Sequence, residues 1–403
     1  MSTVTKEKMS LALVLFNLFI AYVGIGLAVP VMPSIAKEMH LSGQMVGYMI
    51  SAFAFAQLLA SPFTGAWVET LGRKKMIVFG LCLFSFSEIL FGIGTQAWVL
   101  FASRILGGIS DAFIMPAVIT YIADRTSIEN RAKVLGYQAA AISAGFIIGP
   151  GLGGFIAELG IRAPFFFAAA FAFIAAIFSI FLLQESLSQE QMEKNRAQHI
   201  RVNFFAEMKK SVQSVYFVPF LIVFVLAFGL AAYEMMFSLF VDAKFGFTAK
   251  DIAFIITIGS ILGVVAQILF FEKMVAKFGE KNIIHASLVV AALFIMATVF
   301  VSSYLAIMVV TSIVFFACDI LRPAVTSLLS KMAGENQGFV AGMNSTYTSL
   351  GIIAGPAIGG FLFDLNINAP YMFAAVILLA ALVMSALWNR RKARLKLDAH
   401  STD

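Results

Sequence analysis

The sequence predicts an all-α integral membrane protein with twelve transmembrane helices, arranged as two pseudo-symmetric six-helix bundles. Three observations lead to this prediction: an apolar composition, twelve apolar runs and a glycine-rich motif that occurs twice. Apolar residues make up 61% of the 403 residues and charged residues only 12%, whereas globular domains contain roughly 45–50% and roughly 25%. A soluble protein of this size could not bury so much hydrocarbon, so a bilayer is the expected solvent.

Each apolar run has about 20 residues or more, enough for a helix that rises 1.5 Å per residue to cross the bilayer core. The first run follows Lys6 and Lys8, as in a secretory signal, but it exceeds the roughly 7–15 residues of a signal's apolar region. We therefore interpret it as an uncleaved first span. The predicted spans are residues 10–32, 44–67, 76–95, 98–123, 133–157, 164–184, 216–241, 251–271, 282–302, 305–330, 337–363 and 369–388.

A motif rich in glycine and proline occurs twice, and its two copies lie 206 residues apart. The segment from Gly145 to Gly154 reads GFIIGPGLGG, and the segment from Gly351 to Gly360 reads GIIAGPAIGG. About half the chain separates the copies. Because Ala56-Gln57 and Pro116 also recur, as Ala266-Gln267 and Pro323, we expect spans 2, 4 and 5 to recur as spans 8, 10 and 11. A repeat of this length in an apolar chain is typical of transporters built from two related bundles.

The distribution of basic residues predicts that both termini are cytoplasmic. With that orientation the inner segments carry 22 of the 28 Lys and Arg residues, the outer loops carry 4 and two lie within spans, a bias that follows the positive-inside rule. The long polar stretch 185–215 separates the two sets of six spans and is predicted to be a cytoplasmic linker. The predicted domains are therefore an N-terminal bundle, 1–184, and a C-terminal bundle with a basic tail, 216–403.

Three motifs resemble those of the major facilitator superfamily and, within it, of drug/proton antiporters of the NorA and Bmr type. Gly65 to Lys75 (GAWVETLGRKK) matches the loop between spans 2 and 3, with Glu69 where the family usually has Asp. Arg104 to Gly108 (RILGG) matches the fourth-span motif. Gly145 to Gly154 matches the fifth-span antiporter motif, which is more specific to exporters. The resemblance covers essentially the whole chain, and it implies this fold and drug export driven by protons.

Conformational roles are predicted for the loop motif and the fifth-span motif. Three glycines of the fifth-span motif recur every fourth residue, so they line one helix face and let another backbone approach closely. Pro150 removes a helix hydrogen bond and bends the span; such a face suits a hinge between bundles, and a simple packing groove is the alternative. We expect Glu69 and Arg73 to latch the two bundles in the outward-facing state. The residues assigned to gating are Gly65, Glu69, Gly72, Arg73, Gly145, Gly149, Pro150, Gly153 and Gly154.

Charged residues inside the spans are the most informative for mechanism, since each costs several kcal/mol unless it faces water or a partner. By resemblance, spans 1, 4, 7 and 10 line a central cavity, and Glu234 and Asp319 occupy the positions of an acidic pair in NorA-type pumps. The resemblance implies that these two carboxylates take and release the coupling proton. Arg322 is placed to tune their proton affinity, which an apolar cavity also changes. The charged residues within spans are Glu88, Arg104, Asp111, Glu234, Asp319 and Arg322.

Asp111 departs from the NorA pattern, which has a small residue at that position, and two interpretations stay open. Asp111 lies seven residues after Arg104 on one face of span 4, so the two could form a structural pair. Alternatively, Asp111 is a third titrating group that changes the stoichiometry or favours cationic drugs. Both residues are included among the proton-coupling candidates. Glu88, in span 3, is expected to make a satisfied polar contact.

Aromatic rings bind varied apolar cations loosely, and polar side chains within spans can orient a substrate. In a chain with 42 Phe residues many rings must instead face lipid or core. The substrate-binding candidates are Phe16, Asn17, Phe19, Gln57, Phe113, Gln138, Phe146, Tyr233, Phe237, Asn344 and Tyr347.

Absent motifs argue against other classes of function. The sequence has no GxxxxGK[ST] loop for ATP, and its four His residues are scattered without an HExxH pattern. We expect no enzymatic activity and no cofactor, metal, nucleotide or nucleic acid. The expected protein is a monomer in a bacterial cell membrane, with both termini cytoplasmic, whose partners are amphipathic drugs, protons and the lipid bilayer.

The favoured function is proton-coupled efflux of amphipathic, often cationic compounds such as dyes, fluoroquinolones and biocides by alternating access. A proton-coupled uptake carrier for a sugar or other nutrient would share the fold, but the fifth-span motif and the many aromatic residues argue against it. A polytopic membrane enzyme or lipid-handling protein would need a nucleophile, a metal cluster or a nucleotide loop near a membrane face, and the sequence shows none.

Overall fold

The computed structural model describes residues 3–197, 204–214, 216–333 and 336–400, and this part of the chain is almost entirely helical, without β-strands. Two short 3-10 helices, Val29–Val31 and Ala157–Leu159, interrupt the α-helices. In chain order the α-helices are α1 (Thr3–Ala28), α2 (Met32–Glu38), α3 (Gly43–Leu71), α4 (Arg73–Ile93), α5 (Ala97–Arg125), α6 (Ile128–Ile156), α7 (Ala163–Leu182), α8 (Gln189–Ala197), α9 (Phe204–Gln213), α10 (Phe217–Phe245), α11 (Ala249–Phe300), α12 (Tyr304–Ala333), α13 (Gln337–Leu365) and α14 (Ala369–His400).

Eleven of the helices in the described ranges are long and apolar enough to cross a membrane. One of them, α11, has 52 residues, which at 1.5 Å per residue would extend about 78 Å, more than twice the roughly 30 Å of a bilayer core. α11 is divided at Gly279, whose φ of 74° and ψ of 154° are not helical. Because this break falls between predicted spans 251–271 and 282–302, α11 supplies two spans. The predicted fold class of twelve transmembrane helices is confirmed.

Gly279 has a counterpart 207 residues earlier in the chain. Gly72, between α3 and α4, has a φ of 102° and a ψ of 154°. A positive φ is readily adopted by glycine and strained for other residues. The repeat seen in the sequence therefore extends to the backbone conformation between the second and third span of each half.

The chain divides into two compact units. Unit 1 comprises Met1–Val202 and Val241–Thr257, and unit 2 comprises Asn203–Phe240 and Ile258–Asp403. The end of α10 and the start of α11 thus belong to unit 1. The domain boundaries 1–184 and 216–403 stay a prediction. Within the predicted linker 185–215 lie α8 and α9, while residues 198–203 and 215 are outside the described residues.

In unit 1, α1 packs against α6 and α7, α3 packs against α5, and α4 packs against α5 and α7. The core of the unit combines buried apolar side chains of α1, α4 and α5, among them Leu18, Ile77 and Tyr121. α5, the fourth span, is therefore held by helices on more than one side.

Two ion pairs tie the end of α10 and the start of α11 into unit 1. Lys37 Nζ lies 2.6 Å from Asp242 Oδ1, and Lys250 Nζ lies 2.9 Å from Glu158 Oε1. All four residues belong to segments that the sequence places on the outer side.

In unit 2, α12 packs against α13, and α13 packs against α14. Buried aromatic rings join α10 to α14: the ring centroid of Tyr371 lies 5.4 Å from that of Tyr233 and 4.3 Å from that of Phe240. These contacts fix which face of α10 is turned towards the interior of unit 2.

Many large apolar side chains remain exposed on both units. Phe181 is 78% exposed, Phe300 76% and Ile268 74%. A soluble monomer rarely exposes extended apolar patches, so this surface fits hydrocarbon, as the composition predicts.

A buried ion pair links α4 to α5 in unit 1. Arg104 Nη2 donates a hydrogen bond of 2.9 Å to Glu88 Oε1, and both side chains are buried. The Arg104 guanidinium also lies over the Phe91 ring, 4.4 Å from its centroid. The polar contact predicted for Glu88 is confirmed. The alternative in which Arg104 pairs with Asp111 is wrong, because the interface between α4 and α5 presents Glu88 to the guanidinium instead.

We predict that Glu88→Gln lowers the thermal stability of the purified protein, because the Arg104 guanidinium would be left buried without a counter-charge. Removing one partner of a buried ion pair typically costs about 3–5 kcal/mol. The measurement is the temperature at which half of the protein is lost from the monodisperse peak in size-exclusion chromatography.

Glu38→Gln is the matched control, since Glu38 pairs with Arg162 but is 44% exposed, and exposed pairs contribute about 0–1 kcal/mol. Equal losses of stability in the two variants would contradict a structural role for the buried pair.

Candidate functional site

α10 and α12 bring an acid and an arginine together in unit 2. Arg322 Nη2 donates hydrogen bonds to both carboxylate oxygens of Glu234, at 2.6 and 2.8 Å. The Arg322 side chain is 54% exposed and that of Glu234 is 21% exposed. Two of the proton-coupling candidates are therefore direct partners, and their ion pair borders open space rather than closed core.

Asp319 lies one helical turn before Arg322 on α12 and is half-buried. Its carboxylate lies against the α11 backbone at Gly263, where an added Cβ would overlap one of its oxygens. Among the described residues this carboxylate has no ion-pair partner, since Arg322 is engaged by Glu234. Residues three apart on a helix are neighbours, so Arg322 is placed to serve either acid.

Asp111 of α5 is buried in unit 1 and accepts a hydrogen bond from Gln57 Nε2 of α3. Its Oδ1 atom has no hydrogen-bond partner within the described part of the chain. Arg104, the nearest base along α5, is held by Glu88. A buried carboxylate without a cation costs several kcal/mol, so an arriving proton or cationic substrate would relieve that cost.

The fifth-span glycines of α6 face α1. A Cβ added at Gly145 would lie 2.7 Å from Tyr22 Cβ, and one added at Gly149 would lie 2.7 Å from the Val23 carbonyl oxygen. Gly153 is equally close to the backbone of α1. The predicted close approach of a second backbone is confirmed, and that backbone is α1.

The second copy of the motif makes the corresponding contact in unit 2. A Cβ added at Gly351 would lie 2.7 Å from the Phe228 backbone nitrogen, and one at Gly355 would lie 2.6 Å from the Phe228 carbonyl oxygen. α13 therefore packs on α10 as α6 packs on α1. Gly154 lies on another face of α6, where its Cβ would come within 2.5 Å of Ala253 Cβ on α11. In this conformation both motifs act as packing grooves.

Arg73 of the loop motif is buried and engaged within unit 1. Its Nε lies 3.0 Å from Asp124 Oδ2, and its Nη1 donates to the Val68 carbonyl oxygen at 2.9 Å. Glu69 is exposed, and its backbone carbonyl accepts a hydrogen bond of 3.1 Å from Asn195 Nδ2. The ion-pair partner of the motif's arginine is therefore an acid at the end of α5, which the sequence reasoning missed.

Glu185, just after α7, also contacts the start of α4 beside Arg73. Its carboxylate accepts hydrogen bonds from the backbone N–H groups of Arg73 and Lys74, at 2.9 and 3.2 Å, and so satisfies free donors at the start of α4. An added Cβ at Gly72 would overlap this carboxylate, so this position needs glycine for space as well as for its positive φ. Gly65 differs, because a Cβ there would meet nothing within 4 Å.

Unit 2 contains the counterpart of the Arg73–Asp124 pair with its charges exchanged. The positions 207 residues further on are Glu280 and Lys331, and these two form an ion pair. Ser327 Oγ also donates to Glu280 at 3.2 Å. The internal repeat could have revealed both pairs. The first half has a base and an acid, Arg73 and Asp124, at the positions where the second half has an acid and a base, Glu280 and Lys331.

The predicted substrate residues differ in exposure. Phe16 and Phe146 are exposed, at 46% and 42%, while Phe19, Gln57 and Asn344 are half-buried. The buried candidates, which offer little surface to a ligand in this structure, are Asn17, Phe113, Gln138, Tyr233, Phe237 and Tyr347.

Two buried candidates of unit 1 are engaged in packing. Asn17 Nδ2 donates a hydrogen bond of 2.7 Å to Ser179 Oγ, which ties α1 to α7. The Phe113 ring stacks on Trp67, with centroids 5.7 Å apart, inside the core of the unit. In this structure both side chains hold helices together and do not face open space, and their assignment to substrate binding stays a prediction.

The aromatic candidates of unit 2 are likewise buried in this structure. Tyr233 is fully buried with its ring edge-on to Tyr371, and Phe237 lies one turn further along the same buried face of α10. Tyr347 stacks on Phe220, with centroids 5.3 Å apart. Both sides of these spans are apolar, so the sequence could not tell a core-facing ring from an exposed one.

Two repeated sets of six spans, with carboxylates and an arginine set inside apolar helices, define a membrane carrier of the secondary-transporter class. Among the residues that the structure describes, no group of three or more His, Cys, Asp or Glu side chains could hold a metal ion. The profile of the Major Facilitator Superfamily matches residues 14–270 and again 219–401. The chain belongs to this family.

Known relatives span nearly the whole chain. It is 54% identical over 390 residues to Multidrug resistance protein 2 of Bacillus subtilis, covering 97% of this chain and 98% of that protein. It is 39% identical over 381 residues to Quinolone resistance protein NorA of Staphylococcus aureus, covering 94% and 97%. Its fold is similar to that of a bacterial homologue of the human lysosomal transporter Spinster, with a TM-score of 0.76, 13% identity and coverage of 95% and 97%.

The exchanged ion pairs generate a prediction. We expect Arg73→Glu and Asp124→Lys each to lower stability, because each places like charges side by side, and the double variant to recover part of the loss. The double variant would reproduce the arrangement found at Glu280 and Lys331. The measurement is the melting temperature of the wild type, the two single variants and the double variant. This double-mutant cycle should give a coupling free energy of about 1 kcal/mol or more. Strictly additive losses would show that the two side chains do not interact.

Proposed function

We propose that the protein is a proton-coupled multidrug efflux antiporter of the bacterial cell membrane, which exports amphipathic and often cationic compounds. The observation that carries the proposal is the cluster of two acids and one arginine in unit 2, on α10 and α12. The similarity to a multidrug resistance protein and to a quinolone resistance protein supports drugs as the substrate class. The distribution of Lys and Arg supports cytoplasmic termini.

The cluster contains one arginine for two carboxylates, so Arg322 neutralises one acid at a time. A proton on Glu234 would remove the charge that holds the guanidinium and free it for Asp319, one turn away. A cationic drug would compete with the proton for the same negative charge, because like charges exclude one another from a small apolar site. Alternate occupation by drug and proton is the requirement for antiport.

The conformational change is proposed to use the glycine faces of α6 and α13. Pro150 and Pro356 lie inside these helices, where each removes a backbone hydrogen bond and lowers the cost of bending. Protonation of the cluster would bias the equilibrium between inward- and outward-facing states by the difference in its affinity for protons in the two states. The exposed rings Phe16 and Phe146 are the aromatic surface that we propose for loose contact with the drug.

We predict that Glu234→Gln and Asp319→Asn each reduce proton-driven ethidium efflux at least about a hundredfold, because neither amide can carry the proton or compete for Arg322. The variants should remain folded, since Arg322 is half-exposed and can be hydrated. The measurement is ethidium export from energised cells, with protein content checked by fluorescence-detected gel filtration.

Glu272→Gln serves as the control, because it removes an exposed acid of the same unit and should leave efflux unchanged. In acidified inside-out vesicles, adding ethidium should release protons from the lumen if the protein is an antiporter. Proton movement in the same direction as substrate would instead identify the uptake carrier, and wild-type efflux by both amide variants would overturn the role of the cluster.

We propose further that Asp111 favours cationic substrates. Among the described residues its hydrogen-bond donor is the Gln57 amide, and its Oδ1 is buried without a partner. A positive charge on the drug, or a proton, would compensate this carboxylate as Arg104 compensates Glu88. The remaining alternative is that the Gln57–Asp111 hydrogen bond only holds α3 against α5.

Asp111→Asn is expected to reduce efflux of ethidium about tenfold, equivalent to about 1.4 kcal/mol, while efflux of a zwitterionic fluoroquinolone changes less than about twofold. The measurement is the ratio of the two initial rates, with Glu272→Gln as the control. An equal loss for both substrates would assign Asp111 to helix packing alone.

A further inference from the structure

Unit 1 has a groove between α4 and α7, and no residue of the proposed transport site lines it. Its volume is about 350 Å³ and its surface is almost wholly apolar. The lining residues are Lys74, Lys75, Val78, Phe79, Cys82 and Ile180. The groove is thus a hydrocarbon trough with two lysine side chains beside it, at the start of α4.

The three basic residues at the start of α4 differ in their contacts. Arg73, the neighbouring base, is paired with Asp124. The Lys74 ammonium donates a hydrogen bond of 2.7 Å to the carbonyl oxygen of Ile180, which bridges α4 to α7 but leaves the positive charge uncompensated. Within the described ranges no carboxylate forms an ion pair with Lys74 or with the exposed Lys75. The two lysines therefore place two cationic side chains beside the groove.

Helix geometry places the apolar trough directly beneath these charges. Lys75, Val78, Phe79 and Cys82 are three or four residues apart, so they share one face of α4. The face extends over about 10 Å at 1.5 Å per residue. Phe79 is 50% exposed, so the trough opens to the surroundings of unit 1 and not into its core. The positive-inside rule explains why lysines lie at this end of the span, but it does not explain a groove below them.

We propose that this groove binds an anionic phospholipid of the inner leaflet, with its phosphate between Lys74 and Lys75 and one acyl chain along Val78, Phe79 and Ile180. Charge complementarity selects an anion, and the trough selects one with a hydrocarbon chain in line with the phosphate. Basic residues at the cytoplasmic end of membrane helices attract anionic lipid headgroups in this way. The site rests on the membrane fold and on the inner position of α4's first turn, and not on the proposed drug transport.

Bound lipid would stabilise the region around the start of α4, which contains the end of the loop motif. α4 begins at Arg73, whose backbone N–H group is capped by Glu185 at the end of α7. A phospholipid on the lipid-facing surface of unit 1 would contact both the start of α4 and the end of α7, and would therefore hold the same two elements together. We therefore expect the lipid to stabilise unit 1 as well as to occupy the groove.

The test uses the full-length protein in detergent with equal amounts of phosphatidylglycerol and phosphatidylethanolamine, and native mass spectrometry to count the retained lipid. Wild-type protein should retain phosphatidylglycerol in preference to phosphatidylethanolamine. Lys74→Gln/Lys75→Gln should lower that preference about tenfold or more. The matched control is Lys273→Gln/Lys277→Gln, which removes two exposed lysines of unit 2 with the same change in net charge and should keep the preference.

The thiol of Cys82 supplies a second readout within the groove. It is free and partly accessible, whereas Cys318 is buried. Phosphatidylglycerol should slow alkylation of Cys82 by a maleimide several-fold in the wild type and in the control, and should have no effect in Lys74→Gln/Lys75→Gln.

Three results would overturn the proposal. They are equal retention of the two lipids by the wild type, equal loss of preference in the control pair, and protection of Cys82 by soluble glycerol phosphate as strong as that by the lipid. The last result would mean that the lysines bind a phosphate without using the trough. Monodisperse gel filtration of the double variant distinguishes loss of the site from loss of the fold.

Discussion

Hydrocarbon cannot solvate a charge, and this constraint decides where the polar residues within the spans can lie. Glu88 and Arg104 meet it by pairing inside the core of unit 1, where neither needs water. Arg322 and Glu234 meet it differently: they pair, but the guanidinium stays half-exposed, and Asp319 lies one turn away as a second acid for the same base. The first arrangement has one stable state. The second has two possible partners for one arginine, and we propose that a proton switches between them.

The internal repeat preserves contacts rather than side chains. Both fifth-span motifs place glycines against the backbone of the first span of their half, because only glycine leaves room for it. Between the second and third spans, Gly72 and Gly279 share a positive φ. The adjoining ion pair is Arg73 with Asp124 in one half, yet acid and base have changed places in the other. Both halves thus keep an ion pair at this position, although the acid and the base are exchanged.

The loop motif also shows how neighbouring bases can differ in role. Arg73 is buried and neutralised by an acid of α5, so its charge acts within unit 1. Lys74 and Lys75 follow it directly, but they face a groove without carboxylate partners among the described residues. A run of three basic residues that looks uniform in sequence thus contains one buried ion pair and two lysines that line a groove. Helix rotation of about 100° per residue separates them.

The amino-acid sequence by itself determined the class of this protein. Apolar runs longer than a bilayer is thick, a half-length repeat and motifs at the ends of spans suffice for twelve helices in two halves, because each signal is local or periodic. Only the tertiary structure decided that Arg104 pairs with Glu88 and not Asp111, and that Phe113 lies in the core while Phe146 is exposed. A membrane helix is apolar towards lipid and towards its neighbours alike, so its sequence carries no stripe that fixes its rotation. The partners of its buried charges depend on that rotation and on which helices pack beside it.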